Sequence, residues 1–158
     1  MTLSLTRIAA AFALLGLLVL ASVPLLRAYQ SSSRGKSLHA DLTVFSKAFR
    51  QYLKENGDWP ATIASTPGVL PPGMEPYLKH SNWTRESPLG GAYVWQSGVR
   101  HNGRRIRAAI LITHTTTSSV LSDLATLKSI DRLIDDGNLE TGSFRLGFEG
   151  EPLWIIEP

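Results

Sequence analysis

Nineteen consecutive residues without a charge, Ile8 to Leu26, constrain this chain more than any other feature in it. As a helix rising 1.5 Å per residue they span about 28 Å, the thickness of a hydrocarbon core. Gly16 and Pro24 lie inside the stretch, and Arg7 and Arg27 bracket it. The pattern predicts an N-terminal segment, residues 1–27, that crosses a bilayer once, followed by one modest domain, residues 28–158. A secretory signal cut after Val19-Leu20-Ala21 is the competing reading. The basic residues near the two ends, Arg7 against Arg27, Arg34 and Lys36, do not by themselves favour export of the C-terminal part.

The formal charge of +3 and pI near 9.4 suggest a polyanion partner only until the charges are placed. With Arg7 and Arg27 set aside, 14 Lys and Arg remain against 13 Asp and Glu, so the domain carries no global field for nucleic acid or anionic lipid. There is no cysteine, which excludes disulfide frameworks, thiolate metal sites and thiol catalysis.

Beyond Leu26 the pattern turns amphipathic. Leu38, Leu42, Phe45, Phe49 and Tyr52-Leu53 recur at three- and four-residue spacings, which predicts one helix from about Leu5 to Glu55. Pro24 lacks the N–H that bonds four residues back, and Ser31-Ser32-Ser33 and Gly35 are expected to loosen the helix further. Gly57 and Trp59-Pro60 stop it. Six of the nine prolines lie between residues 57 and 92, an ordered loop with one helical turn near Glu75 to Leu78. A hairpin follows, Ala92 to Trp95 with Ile106 to Thr113, turning at Asn102-Gly103. Ser118 or Ser119 is expected to cap a helix whose stripe runs from Val120 and Leu121 through Leu124, Leu127 and Ile130 to Leu133 and Ile134. Phe144 to Phe148 and Pro152 to Ile156 read as two closing strands.

Together these stretches resemble a known family. A greasy helix with glycine and proline eight residues apart, Gly16 and Pro24, running on into an amphipathic helix, is similar to that of type IV pilins and type II secretion pseudopilins. Tyr52-Leu53-Lys54-Glu55-Asn56-Gly57-Asp58-Trp59-Pro60 resembles the segment where pseudopilin helices end. Ser87-Pro88-Leu89-Gly90-Gly91-Ala92-Tyr93-Val94-Trp95 resembles the loop into their first strand, and Ile130-Asp131 with Ile134 to Leu139 and Thr141-Gly142 resembles a recurrent ending of pilin-like proteins. On the register of Gly16 and Pro24, Thr2, Leu3 and Arg7 stand where prepilins carry glycine, phenylalanine and glutamate. Three readings accommodate this departure: a tip or initiating subunit, a mis-assigned start, or a relative that no longer polymerises.

The resemblance implies an α+β pilin-like fold: a long N-terminal helix, membrane-embedded in its first half, packed on a four-stranded antiparallel sheet with one further helix. It implies a structural, non-enzymatic subunit of a type IV pilus or type II secretion filament. The assembly helix would include Ile8, Phe12, Leu14, Leu15, Gly16, Leu18 and Pro24, with other pilin or pseudopilin subunits and the membrane as partners. Such a subunit waits in the bacterial inner membrane, its C-terminal domain periplasmic or carried into an extracellular filament. Proline then weakens one turn where a helix is to be extracted from lipid. The competing class is a single-pass protein that displays a small ligand- or DNA-binding domain without polymerising.

Chemistry is sparse. His39, His80, His101 and His114 have no metal-ligand spacing, and no nucleophile elbow, phosphate loop or carboxylate pair is present. Arg100, Arg104, Arg105 and Arg107 at the hairpin tip are the candidate nucleic-acid contact, although positive charge on a hairpin also guards against edge-to-edge aggregation. No cofactor is expected; the oxygen donors Asp131, Asp135, Asp136 and Asn138 beside Glu140 are the best ion candidate, and the resemblance to pseudopilins, some of which hold calcium in their C-terminal region, implies calcium there. Their spacing is not that of an EF-hand loop, and acidic residues next to Gly137 also make ordinary turns. Trp59, Trp83, Trp95 and Trp154 read as anchors between helix and sheet.

Overall fold

The computed structural model describes residues 5–62, 66–101 and 103–158, and side-chain surroundings at residues 12, 14 and 16 and from residue 23 onward, apart from 101, 104 and 148. One helix, α1 (Leu5–Asn56), runs unbroken through Pro24, the three serines and Gly35. The expected loosening is therefore absent. Ser31 folds its hydroxyl back onto the Arg27 carbonyl at 2.9 Å. Gly35 is buried because the second long helix crosses there: a Cβ on it would lie 3.1 Å from Leu133 Cδ1 and 3.6 Å from Ile130 Cγ2. The helix ends as its sequence predicts, with Gly57 at φ 81° and its N–H bonded to the Leu53 carbonyl at 2.8 Å.

From residue 31 onward α1 buries one stripe. Leu38, Leu42, Phe45 and Phe49 are fully inaccessible, spaced so that every turn places one of them against the sheet. That sheet is antiparallel, in the order β1 (Ala92–His101), β2 (Arg104–Thr113), β4 (Pro152–Glu157), β3 (Phe144–Leu146). The hairpin arms pair from Ala92 with Thr113 to His101 with Arg104, so both strands are longer than their apolar cores alone suggest. The last two strands pair Phe144 with Trp154; β3 stops at Leu146, and Phe148, expected as its last residue, instead opens a 3₁₀ turn, Phe148–Gly150.

Alternation along β4 divides the sheet's two faces. Ile156 joins the core beneath α1, while Leu153 and Ile155 join Ile106 and Ala109 in a smaller cluster of their own. Aromatic rings fill the space beneath α1. Phe49 stacks on Trp95 with centroids 3.9 Å apart, and Phe45 meets Trp83 and Tyr93 edge-on at 5.1 and 4.8 Å.

All four tryptophans anchor as expected, and each indole N–H has a partner. Trp83 donates to the Val69 carbonyl at 2.9 Å and Trp95 to that of Pro60 at 2.8 Å, which fastens the proline-rich loop to the core. Trp59 donates to Glu157 and Trp154 to Ser46, at 2.8 and 3.0 Å. The short helix α2 (Glu75–Leu78) lies where predicted and buries Leu78. Gly91 turns the chain into β1 at φ 66°, where a Cβ would collide with the Thr113 carbonyl.

Helix α3 (Leu124–Ile134) begins later than its stripe suggests. Asp123, not Ser118 or Ser119, is the cap, its carboxylate accepting the Thr126 N–H at 3.0 Å. Ser118 is drawn away to a distant loop, where its hydroxyl accepts the Gly91 N–H at 2.8 Å and donates to Glu86 at 2.7 Å. Leu121 likewise gives its N–H to the Leu89 carbonyl at 2.8 Å, which ties this segment to the loop before β1 ahead of the helix.

Candidate functional site

Three surfaces concentrate the residues that the sequence singles out. The first is the N-terminal half of α1. Every residue from Val23 to Gln30 is exposed, among them Leu25 at 72%, Leu26 at 59% and Tyr29 at 75%. Nearer the N-terminus Phe12 and Leu14 are exposed at 72% and 64%, and nothing lies within 4 Å of a Cβ built on Gly16. Pro24 sits inside the helix with its ring in the open. Ile8, Leu15 and Leu18 belong to α1, but their side chains lie outside the described part, as do Thr2, Leu3 and the Arg7 side chain. Among the described residues no helix is long and apolar enough to cross a membrane. The one long helix thus has two environments: a half packed on the sheet, and a half that presents large apolar side chains in the open at every such residue described. Leu25, Leu26 and Tyr29 extend this surface beyond the residues that the glycine–proline pattern marks.

The second surface is the hairpin tip. Register places Arg100 directly opposite Arg105, and Arg107 is paired with Glu157 at 2.6 Å. Like charges face one another there, a mildly unfavourable arrangement, while one of the four cations is already neutralised by an exposed ion pair worth about 0–1 kcal/mol. Arg104 follows in β2, its side chain undescribed. The tip is basic, but the expected stacking partner is not available to it: Trp95 is 1% exposed and committed to Phe49.

The third surface is the C-terminal end of α3. Asp131, Asp135 and Asp136 each present a carboxylate oxygen within 4.8 Å of the others. Asp135 caps the helix, its N–H bonded to the Asp131 carbonyl at 2.7 Å, and its Oδ2 accepts the N–H groups of Ser143 at 2.5 Å and Phe144 at 2.8 Å. Asp136 accepts the Asn138 N–H at 2.8 Å and the Thr141 hydroxyl at 2.7 Å. These bonds hold its carboxyl below the ordinary range, the Thr141 hydroxyl contributing most. Asn138 does not turn inward: its side-chain oxygen accepts the Glu140 N–H at 3.2 Å. Asp131 is different in kind. It is fully buried, and neither carboxylate oxygen has a hydrogen-bond partner. Burial, and then the charges of Asp136 and Asp135, push its carboxyl up to about 6, against the Gly137 backbone N–H, which lowers it. Leu127 lies one helical turn before it, so the sequence already places this aspartate on the apolar stripe; only its neighbours across the fold are invisible there.

The cleft between α1 and the loop at residues 82–88 is lined by Arg34, Asp41, Asn82 and Arg85 among others. Its carboxylate is occupied: Asp41 accepts from Tyr93 and from Asn82, both at 2.9 Å. That contact and burial raise the Tyr93 phenol far above its usual range, burial first. His39, His80 and His114 are exposed and scattered, His114 lying 3.2 Å from Glu151.

No protein-family profile matches this chain, and no curated protein matches it in sequence. Comparison with solved structures aligns it with the major type IV pilin PilA1 from Clostridium difficile. The match has a TM-score of 0.54 at 13% identity and covers 83% of this chain and 99% of that one. The long helix on a four-stranded antiparallel sheet is therefore the pilin fold, reached by a sequence with little residue-level likeness to that protein.

Proposed function

We propose that this chain is a pilin-like structural subunit, a minor component of a type IV pilus or type II secretion filament, and that it catalyses no reaction. The observation that carries the proposal is the exposed half of α1. Phe12, Leu14, Leu25, Leu26 and Tyr29 stand in the open on a helix whose other half is the spine of the core. An apolar surface of that extent calls for a partner. By sequence alone, residues 8–26 carry no charge over about 28 Å, and within this reading lipid is their first partner. Helices of neighbouring subunits would replace the lipid on assembly. The likeness in fold to a filament-forming pilin supports the same reading. Arg7, standing where the resembled family carries glutamate, fits a tip or initiating subunit within this reading, and it is also the feature that best fits the alternative of a non-polymerising display protein.

The test is the intact mass and N-terminal sequence of the protein recovered from membrane and sheared-surface fractions. The proposal predicts a terminus within the first few residues and the chain present in both fractions. Cleavage after Ala21 would remove the assembly helix and contradict it. A chain confined to the membrane fraction would point instead to a non-polymerising display protein.

A further inference from the structure

A cleft opens where the uncharged stretch of α1 gives way to the domain. The start of α3 packs beside α1 there, and between them lies a cavity of about 410 Å³ lined on the α1 side by Arg27, Gln30, Ser31 and Arg34. Spacings of three, four and seven residues put these four on one helix face. Both arginines are exposed, and among the described residues neither is in an ion pair. One carboxylate shares the cleft. Asp123 gives its Oδ2 to the Thr126 hydroxyl and N–H, which hold its carboxyl low ahead of the weaker pull of the Arg27 charge. Two guanidiniums against one carboxylate leave the cleft cationic.

The donors left over select an anion. Ser31 and Thr126 spend their hydroxyl protons on the Arg27 carbonyl and on Asp123. Among the described residues lining the cleft, the side-chain donors that remain are the two guanidiniums and the Gln30 amide. Planar guanidinium forks are the usual partners of phosphate oxygens. We infer that this cleft is a site for the phosphodiester of an anionic phospholipid of the phosphatidylglycerol type.

The surface below the cleft marks the ligand as a lipid and not a free phosphate ion. Val23 precedes Arg27 by one helical turn and Leu26 precedes Gln30 by one, so both continue the face that carries the cleft. They are 40% and 59% exposed. An anion seated between the guanidiniums therefore has an apolar strip leading away from it, in the direction in which α1 carries no charge. Acyl chains can cover that strip and a bare ion cannot. Depth agrees. Headgroups occupy about 5–8 Å on each side of a hydrocarbon core of about 30 Å. On the proposed reading that residues 8–26 cross that core, on which this site depends, the Arg27 Cα lies about 1.5 Å beyond its edge and the Arg34 Cα about 12 Å. Helical side chains lean toward the N-terminus, so Arg34 reaches back toward the headgroup layer. A lipid held there ties α3 to α1 at the membrane surface.

The experiment places the full chain in nanodiscs of equimolar phosphatidylcholine and phosphatidylglycerol and counts, by native mass spectrometry, the lipids that stay on each chain after release. One phosphatidylglycerol retained in preference to phosphatidylcholine is expected. Arg34→Gln should cut that retention about fivefold, the worth of one basic side chain at an anionic surface. Lys36→Gln removes the same charge at nearly the same height from an exposed position about 200° around the helix, and should leave retention within about twofold of the parent. Equal losses in the two variants would mean diffuse attraction and overturn the site. A second arm adds inorganic phosphate to the chain in neutral detergent at matched ionic strength. A saturable rise in the thermal midpoint that Arg34→Gln abolishes, without selective lipid retention, would make this an ion site and overturn the lipid assignment. A chain that sits firmly in the discs yet retains no phosphatidylglycerol selectively overturns the site and leaves the filament proposal standing. A chain that stays outside the discs contradicts the reading of residues 8–26, and the site falls with it.

Discussion

At Gly35 the absence of a side chain leaves room for α3 to cross α1 closely. Gly35→Ala places a Cβ 3.1 Å from Leu133 Cδ1, the end of a flexible side chain that is 51% exposed and free to yield. Alanine's better helix propensity offsets the crowding, so its stability should stay within about 1 kcal/mol of the parent. Gly35→Leu has no such outlet, because Ile130 behind Leu133 is fully buried. It should destabilise the chain by about 1–3 kcal/mol, read from the denaturant midpoint. Equal stability of both variants would show that α3 does not press on Gly35. In the sequence this glycine reads as a weak point of the helix, since its partner lies nearly one hundred residues away and local pattern carries no trace of the crossing. Asp131 shows the same limit from the other side: its place on the apolar stripe is legible, but its lack of a partner is a fact of three dimensions.

Elements were legible wherever they are set by their own periodicity. The α1 stripe and its glycine stop, the α2 turn and the hairpin follow directly from spacing and turn chemistry. The start of α3 was not, because Ser118 and Leu121 are recruited by Gly91, Glu86 and Leu89 from a distant loop. The true cap gives a pH-dependent signature. The Thr126 hydroxyl first, and then its backbone N–H, hold the Asp123 carboxyl below its ordinary value. A depressed carboxyl contributes stability above its unfolded-state pKa, near 3.9, and that contribution is lost as pH falls through the lower folded value. Asp123→Asn keeps the side-chain oxygen that accepts the Thr126 N–H but cannot titrate. Its thermal midpoint should therefore fall less steeply than that of the parent as the pH drops below about 4. Parallel acid profiles would mean that Asp123 does not titrate as a cap.

On the scale of the whole molecule the main feature is a division of labour along one helix. From residue 31 to residue 56 α1 is the spine of a small α+β domain. The half that precedes it presents large apolar side chains in the open at Phe12, Leu14, Leu25, Leu26 and Tyr29. A domain with a filled core of its own does not need that projection for folding, and under the proposed function the projection is the surface that meets other subunits. Leu14→Glu tests this most directly, since Leu14 is 64% exposed and far from the core. A charge buried among apolar helices costs several kcal/mol, whereas the same charge on a free helix costs little. The account predicts that Leu14→Glu keeps the thermal midpoint of the parent domain yet disappears from the sheared filament fraction. Its recovery there at parental levels would contradict the claim that this half of α1 is the assembly surface.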